Sequence, residues 1–251
     1  MRFRAFRSFL DLLVLRFRKL GAILLQPMLL RAFFRHFVMA GVEHKSVLSR
    51  PLSTVVDVGA NRGQFALAAR AISGAKVVSF EPLPEVAAIF QKVFSDDPSV
   101  KLHISAIGEK AEMKLIHLSA RDDSSSLLEI GDAQSSYFPG THEVGTLEVA
   151  VGTLDDFLTK DEIVRPAMLK LDVQGFELQA LAGCKSLISN FDYVYCECSF
   201  VELYKNQKLA GEVINYLNNT LGFALTGVYN PSYDRGGNCI QADLLFEQMV
   251  R

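Results

Sequence analysis

Cysteine is scarce in this 251-residue chain. Cys184, Cys196, Cys198 and Cys239 are too few for a disulfide scaffold, and no Cys-x-x-Cys pair points to zinc or redox chemistry. A reducing, cytoplasmic setting is the expectation. Cys196 and Cys198 alternate within Tyr193–Ser199, so they should share one face of a strand as small buried apolar groups. Long apolar runs are lacking at the N-terminus. The longest clean stretch of the first forty residues, 20–25, ends at Gln26-Pro27, well short of the roughly 18 residues a membrane helix needs. Arg16, Arg18 and Lys19 interrupt the apolar block that a secretory signal would require. Charge of one sign is also lacking overall: a net −2 and a pI near 6.2 exclude a surface built for nucleic acid, and no nucleic-acid partner is expected. With 49% hydrophobic and 22% charged residues, a disordered or low-complexity chain is excluded. No internal repeat or long linker is visible.

The charge that is present is unevenly placed. Residues 1–40 hold eight Lys/Arg against Asp11 alone, a net +7, which leaves −9 on the rest of the chain. Phe3, Phe6, Leu10, Leu13, Phe17, Leu20 and Leu24 fall on one helical stripe. Pro27 should end that helix, and Leu30, Phe33, Phe34, Phe37 and Val38 form a second stripe running to Gly41. A basic amphipathic segment of this kind either packs on the rest of the protein or on a second subunit, or lies on an anionic membrane surface.

From Ser53 onward strands and helices alternate, the pattern of a parallel sheet covered on both faces. Strands are predicted at 54–58, 76–80, 100–105, 167–171 and 192–198, with helices at 64–72, 84–94, from 176 and at 211–221. Residues 113–118 and 146–151 read as further strands, separated by a polar stretch with the composition of a loop or lid. Residues 223–228 and 239–246 read as a terminal hairpin at the sheet edge.

One turn carries chemistry. Asp57-Val-Gly59-Ala-Asn61-Arg-Gly63 follows a strand and opens a helix, where an α/β fold binds nucleoside-containing ligands. Glycine lets the backbone approach closely. The leading acid would repel a pyrophosphate but would accept a hydrogen bond from a cationic amino-acid end. Glu81, at the end of the next strand, is placed to take both hydroxyls of a ribose.

These residues resemble class I methyltransferases, and Leu169-Lys-Leu-Asp172-Val-Gln-Gly175-Phe-Glu177 resembles the Lys-x-Asp-x-Glu-Gly-x-Glu signature of the FkbM-type family that depends on S-adenosyl-L-methionine. Ser124–Leu128, Thr153–Phe157, Glu197–Tyr204 and Gly222-Phe223 agree in order, over roughly residues 53–247. Gln174 departs from the family's usual Glu. The resemblance implies a Rossmann-like, doubly wound α/β fold with a mostly parallel seven-stranded sheet and an antiparallel C-terminal strand. That domain would span 51–251, behind a helical appendage at 1–50. It implies that Asp57, Gly59, Asn61 and Gly63 surround the methionine part of the cofactor, that Glu81 holds the ribose, and that Ser105, Ala106 and Ile107 lie beside the adenine. The resemblance implies methyl transfer to a hydroxyl of a sugar, glycolipid or other secondary metabolite. Asp172, Glu177 and Glu197 are the catalytic candidates, Asp172 as base or hydroxyl-orienting group. Each has a structural alternative: a helix cap, a favourable charge at a helix start, and a buried acid. Three carboxylates could also hold a divalent cation. His103 and His117 should be packed or surface histidines, while His142, Tyr137, Phe138 and Tyr204 could face substrate from the polar stretch and its surroundings. A non-catalytic membrane- or partner-binding module that keeps the fold, or a nicotinamide-dependent oxidoreductase, is the alternative reading.

Overall fold

The computed structural model of the chain describes residues 26–249. The stripe expected over Phe3–Leu24 lies outside the described residues. Helix α1 (Pro27–His36) begins with proline at its first position, where the missing N–H costs nothing, and ends at Phe37 in a left-handed cap. It is followed by a single turn, α2 (Lys45–Leu48). The alternation then runs β1 (Thr54–Val58), α3 (Gln64–Ile72), β2 (Lys76–Phe80), α4 (Pro84–Val93), β3 (Val100–His103), β4 (Ala106–Ile107), β5 (Glu112–Ser119), α5 (Asp132–Tyr137) and β6 (Glu143–Gly152). It resumes with β7 (Ala167–Leu171), α6 (Glu177–Gly183), β8 (Tyr193–Ser199), α7 (Ala210–Tyr216), β9 (Phe223–Tyr233) and β10 (Cys239–Gln248).

Seven strands form one sheet in the order β3-β2-β1-β7-β8-β10-β9. The five strands from β3 to β8 are parallel, and β10 is antiparallel to both its neighbours. This is the mixed, Rossmann-like arrangement expected. Strands β5 and β6 do not join it. They pair antiparallel and, with β4, form a separate three-stranded sheet. β6 is mostly exposed along its length and β5 is buried at only two positions, whereas a strand inside the main sheet is covered on both faces.

The period of two sorts the strands onto two cores. Val56, Val58, Leu169, Leu171, Val194 and Cys196 face a core shared with α6 and α7. Val55, Val77, Met168, Tyr195 and Leu245 face a second core completed by α3 and by Leu29, Ala32, Val38, Val42, Val47 and Leu48. The segment from α1 to α2 therefore covers one face of the sheet. By the same alternation Asp57, Lys170, Glu197 and Asp243 fall on that second face. They are adjacent in register: Asp57 beside Lys170, Lys170 beside Tyr195, and Glu197 beside Asp243. A polar row is thus drawn across the carboxyl ends of the central strands.

Candidate active site

A cavity of about 470 Å³ opens at those carboxyl ends, within the roughly 300–1,000 Å³ common for small-molecule and cofactor sites. Its lining comes from the β1–α3 turn, the ends of β2 and β7, the small sheet, and the segment 41–44.

Gly59 has φ +79°, and a Cβ there would stand 1.8 Å from the Asp172 carbonyl oxygen. Only glycine lets the β1 and β7 ends close together in this way. Asn61, also left-handed at φ 49°, donates its backbone N–H to Glu81 Oε2 at 2.9 Å, and Leu83 N–H reaches Oε1 at 2.9 Å. The Glu81 carboxylate is thereby aimed, with one lone pair left on each oxygen. Burial pushes Glu81 up to about 7, against the pull of those two N–H donors.

Gly59, Asn61, Glu81, Ala106 and Ile107 line the cavity; Asp57, Gly63 and Ser105 do not. Asp57 is fully buried and faces Lys170 Nζ at 3.1 Å, so it reaches the cavity through that ammonium and not by its own oxygens. Burial raises its pKa against the Lys170 charge. Gly63 abuts the rings of Phe90 and Phe94, where it serves helix packing. The Ser105 hydroxyl is spent on the Ala106 and Ala150 carbonyls.

Lys170 organises the floor. Its ammonium donates to the Gly59 carbonyl at 3.1 Å, lies 3.5 Å from Asp172 Oδ2, and sits 5.5 Å from the centre of the Phe65 ring. Burial disfavours the charge, but Asp57 and Asp172 outweigh it and hold Lys170 above its ordinary value. Asp172 follows β7 directly and lines the cavity. Although burial works against its carboxylate, Lys170 and hydrogen bonds from Glu197 and Gln174 keep its pKa below the usual range.

Of the three acids expected to converge, only Asp172 faces the cavity. Glu177 is 2% exposed, and its Oε1 accepts the Gly175 N–H at 2.9 Å, which makes it a brace behind the turn. Glu197 stands one step back, bridged to Asp172 by Gln174, whose Nε2 donates to Asp172 Oδ1 at 2.7 Å and to Glu197 Oε2 at 2.8 Å. Burial, with Asp172 and Asp243 adding to it, raises Glu197 well above its ordinary value. Lys170 lies between Asp57 and Asp172, and Gln174 between Asp172 and Glu197; among the described residues there is no group of three or more His, Cys, Asp or Glu placed to hold a metal ion.

Tyr204 is fully buried, with its hydroxyl against Gln174 Oε1 at 2.7 Å and the Ser124 carbonyl at 3.0 Å, so it offers no stacking face. The polar stretch after β5 is pinned to this turn. Ser126 Oγ donates to the Gln174 carbonyl at 2.6 Å, and Asp122 pairs with Arg62 at 2.6 Å. His142 is exposed and outside the lining. His103 stacks on Phe80, and His117 pairs with Glu143.

His44 lines the cavity and carries no motif that would mark it in the sequence. Its Nδ1 lies 3.0 Å from the Tyr195 hydroxyl, which donates to Asp243 Oδ2 at 2.9 Å; Asn230 Nδ2 donates to the same oxygen at 2.7 Å. The only hint was the placement of polar residues on one face of two strands, Tyr195 and Glu197 on β8 and Asp243 on β10.

The model of the methyltransferase FkbM domain matches residues 57–225. The 2-O-methyltransferase NoeI of Sinorhizobium fredii is 26% identical over 169 residues, covering 64% of this chain and 70% of that protein. Among solved structures, TehB from Haemophilus influenzae is similar at TM-score 0.44 and 10% identity, over 83% of this chain and 62% of that one. An rRNA methylase from Streptococcus thermophilus is similar at TM-score 0.44 and 14% identity, over 82% of this chain and 94% of that one. Signature, topology and matched span agree: the chain belongs to the FkbM family of S-adenosylmethionine-dependent methyltransferases.

Proposed function

We propose that the protein methylates a hydroxyl oxygen of a carbohydrate or similar polyhydroxylated small molecule, with S-adenosylmethionine as donor. The observation that carries this reading is Asp172, an ionised carboxylate at the cavity wall held in place by Lys170 and Gln174. Such a group accepts a hydrogen bond from a neutral hydroxyl and orients its lone pair for attack. The cavity fits the donor. Glu81, with a free lone pair on each oxygen, takes the two ribose hydroxyls, while Gly59 and Asn61 border the methionine part and Ala106 and Ile107 the adenine. When bound, the donor supplies an electrophilic methyl group on a positively charged sulfur. The protein's own part is to align, to exclude water and to hold the accepting oxygen beside Asp172. The name of NoeI, a 2-O-methyltransferase, supports an oxygen acceptor.

The test is incubation with isotopically methyl-labelled donor and a panel of methyl glycosides, read by mass spectrometry. A base-stable labelled methyl ether is expected, and Asp172→Asn should lower turnover by roughly a hundredfold, within the range for a lost transition-state contact. Labelled amine or ester products alone would contradict it.

The N-terminal segment extends this reading to location. Phe34 and Phe37 are 70% and 80% exposed beside Arg31 and Arg35, at the end of a segment with net charge +7. This combination supports peripheral contact with an anionic membrane on the cytoplasmic side. Among the described residues no helix is long and apolar enough to cross a membrane.

A further inference from the structure

We propose that His44, from the segment that precedes the family domain, is the general base that takes the proton from the acceptor hydroxyl. The inference rests on the hydroxyl-acceptor reading above and assigns the proton its destination. Asp172 is poorly suited to that task. Its pKa is held below the ordinary carboxylate range, and a base works best when its pKa lies near the working pH.

The Tyr195–Asp243 pair favours one tautomer of the His44 ring over the one that the longer, 3.5 Å approach of Asn230 Nδ2 to the same Nδ1 would select. Asp243 accepts both the Tyr195 O–H and the Asn230 Nδ2–H. With its proton committed to Asp243, the Tyr195 oxygen accepts from His44 Nδ1–H at 3.0 Å. Nε2 is then the unprotonated nitrogen, on a ring that lines the cavity and is 17% exposed through its side chain. This is the logic of a base oriented by a second group that is itself anchored on a carboxylate.

The ring is placed beside the chemistry. It meets Phe65 edge-on with centroids 5.0 Å apart, and the Phe65 ring also lies 5.5 Å from the Lys170 ammonium that holds Asp172. The groups facing His44 are Asp243 and Tyr195 from β10 and β8, Asn230 from β9, Glu43 from its own turn, and Lys170 and Asp172 from the end of β7. Burial lowers the imidazole below its ordinary value, with Asp243 opposing, so the ring is neutral at neutral pH. In the step itself the acceptor oxygen forms its bond to the methyl carbon, and the carbon–sulfur bond breaks with its electron pair passing to sulfur. The O–H electron pair remains on oxygen and the proton passes to Nε2.

Two measurements on the full chain decide it. Long-range ¹H–¹⁵N spectra of histidine-labelled protein, with His44 assigned by loss of its signal in His44→Gln, should show a neutral ring at pH 7.5 protonated on Nδ1. A ring protonated on Nε2, or still charged at that pH, overturns the proposal. In kinetics on a glycoside that turns over, at saturating donor, His44→Gln should lower kcat at least a hundredfold and abolish the acid limb of its pH profile. S-adenosylhomocysteine affinity by calorimetry should stay within twofold. Asp243→Asn should move the acid limb to lower pH, because it removes the charge that raises the imidazole pKa. An acid limb unchanged in His44→Gln overturns the proposal while leaving the methyltransferase reading intact. Failure of the unaltered protein to bind S-adenosylhomocysteine is a failure of that earlier reading instead, and the tautomer measurement is independent of it.

Discussion

Glu177 is an acid in a signature position that the fold turns away from the cavity. It is enclosed at 2% exposure, and burial, opposed by the Gly175 N–H, brings its pKa from 4.5 up to about 7. A carboxyl whose folded pKa is raised contributes stability below its unfolded value, and that contribution is lost as pH rises between the two. The shift corresponds to about 3 kcal/mol, lost between about pH 4.5 and 7. Glu177→Gln keeps an oxygen for the Gly175 N–H and removes the ionisation. Urea denaturation should therefore show the variant gaining about 3 kcal/mol on the unaltered protein as pH is raised from 4.5 to 8. Parallel pH profiles would show that Glu177 ionises without cost. Spacing alone could not have separated Glu177 from Asp172. Both follow β7, and which one sees the cavity depends on the left-handed turn at Gln174 and Gly175, set by the tertiary contacts of Gln174 with Glu197 and Tyr204.

At the scale of elements, the βα alternation was legible because each parallel strand is a short apolar run next to an amphipathic helix. The glycine turn and Glu81 were legible for the same reason, since a strand end and a turn are local features. What escaped was assembled over distance. His44 meets Tyr195 across 151 residues and Asn230 across 186, and neither spacing has a local signature. The separate sheet of β4, β5 and β6 escaped because alternation marks a strand without naming its partner. The stripe expected at Leu30, Phe33, Phe34, Phe37 and Val38 is divided by the structure: Val38 is buried, Leu30 and Phe33 are half-buried, and Phe34 and Phe37, the latter in the cap after α1, are exposed. Leu29 and Ala32 are buried in the core, while Phe34 and Phe37 remain outside it. Replacing both phenylalanines with serine should leave the unfolding midpoint unchanged and reduce co-sedimentation with phosphatidylserine vesicles several-fold. Unchanged vesicle binding would mean that these side chains do not meet the lipid.

At the scale of the molecule, one sheet end serves three purposes. On the proposed reading the left half, β1 and β2, frames the donor through Gly59, Asn61 and Glu81, which line the cavity. The centre, β7, presents Asp172. The right half, β8 to β10, anchors His44 through Tyr195, Asp243 and Asn230, the last two lying outside the matched family span of 57–225. The family domain is thus completed by chain on both sides of it, and the N-terminal segment 41–48 is part of the working structure through Val42, Val47 and Leu48 in the core. The proposed donor site is tested most directly at Glu81, because a carboxyl that takes two ribose hydroxyls must be ionised and burial has raised this one to about 7. Calorimetric titration with S-adenosylhomocysteine at pH 6 and pH 8 tests it. The expected result is micromolar affinity at pH 8, about tenfold weaker at pH 6, with the difference abolished in Glu81→Gln. No binding to the folded protein at either pH, or binding indifferent to Glu81, would contradict the account.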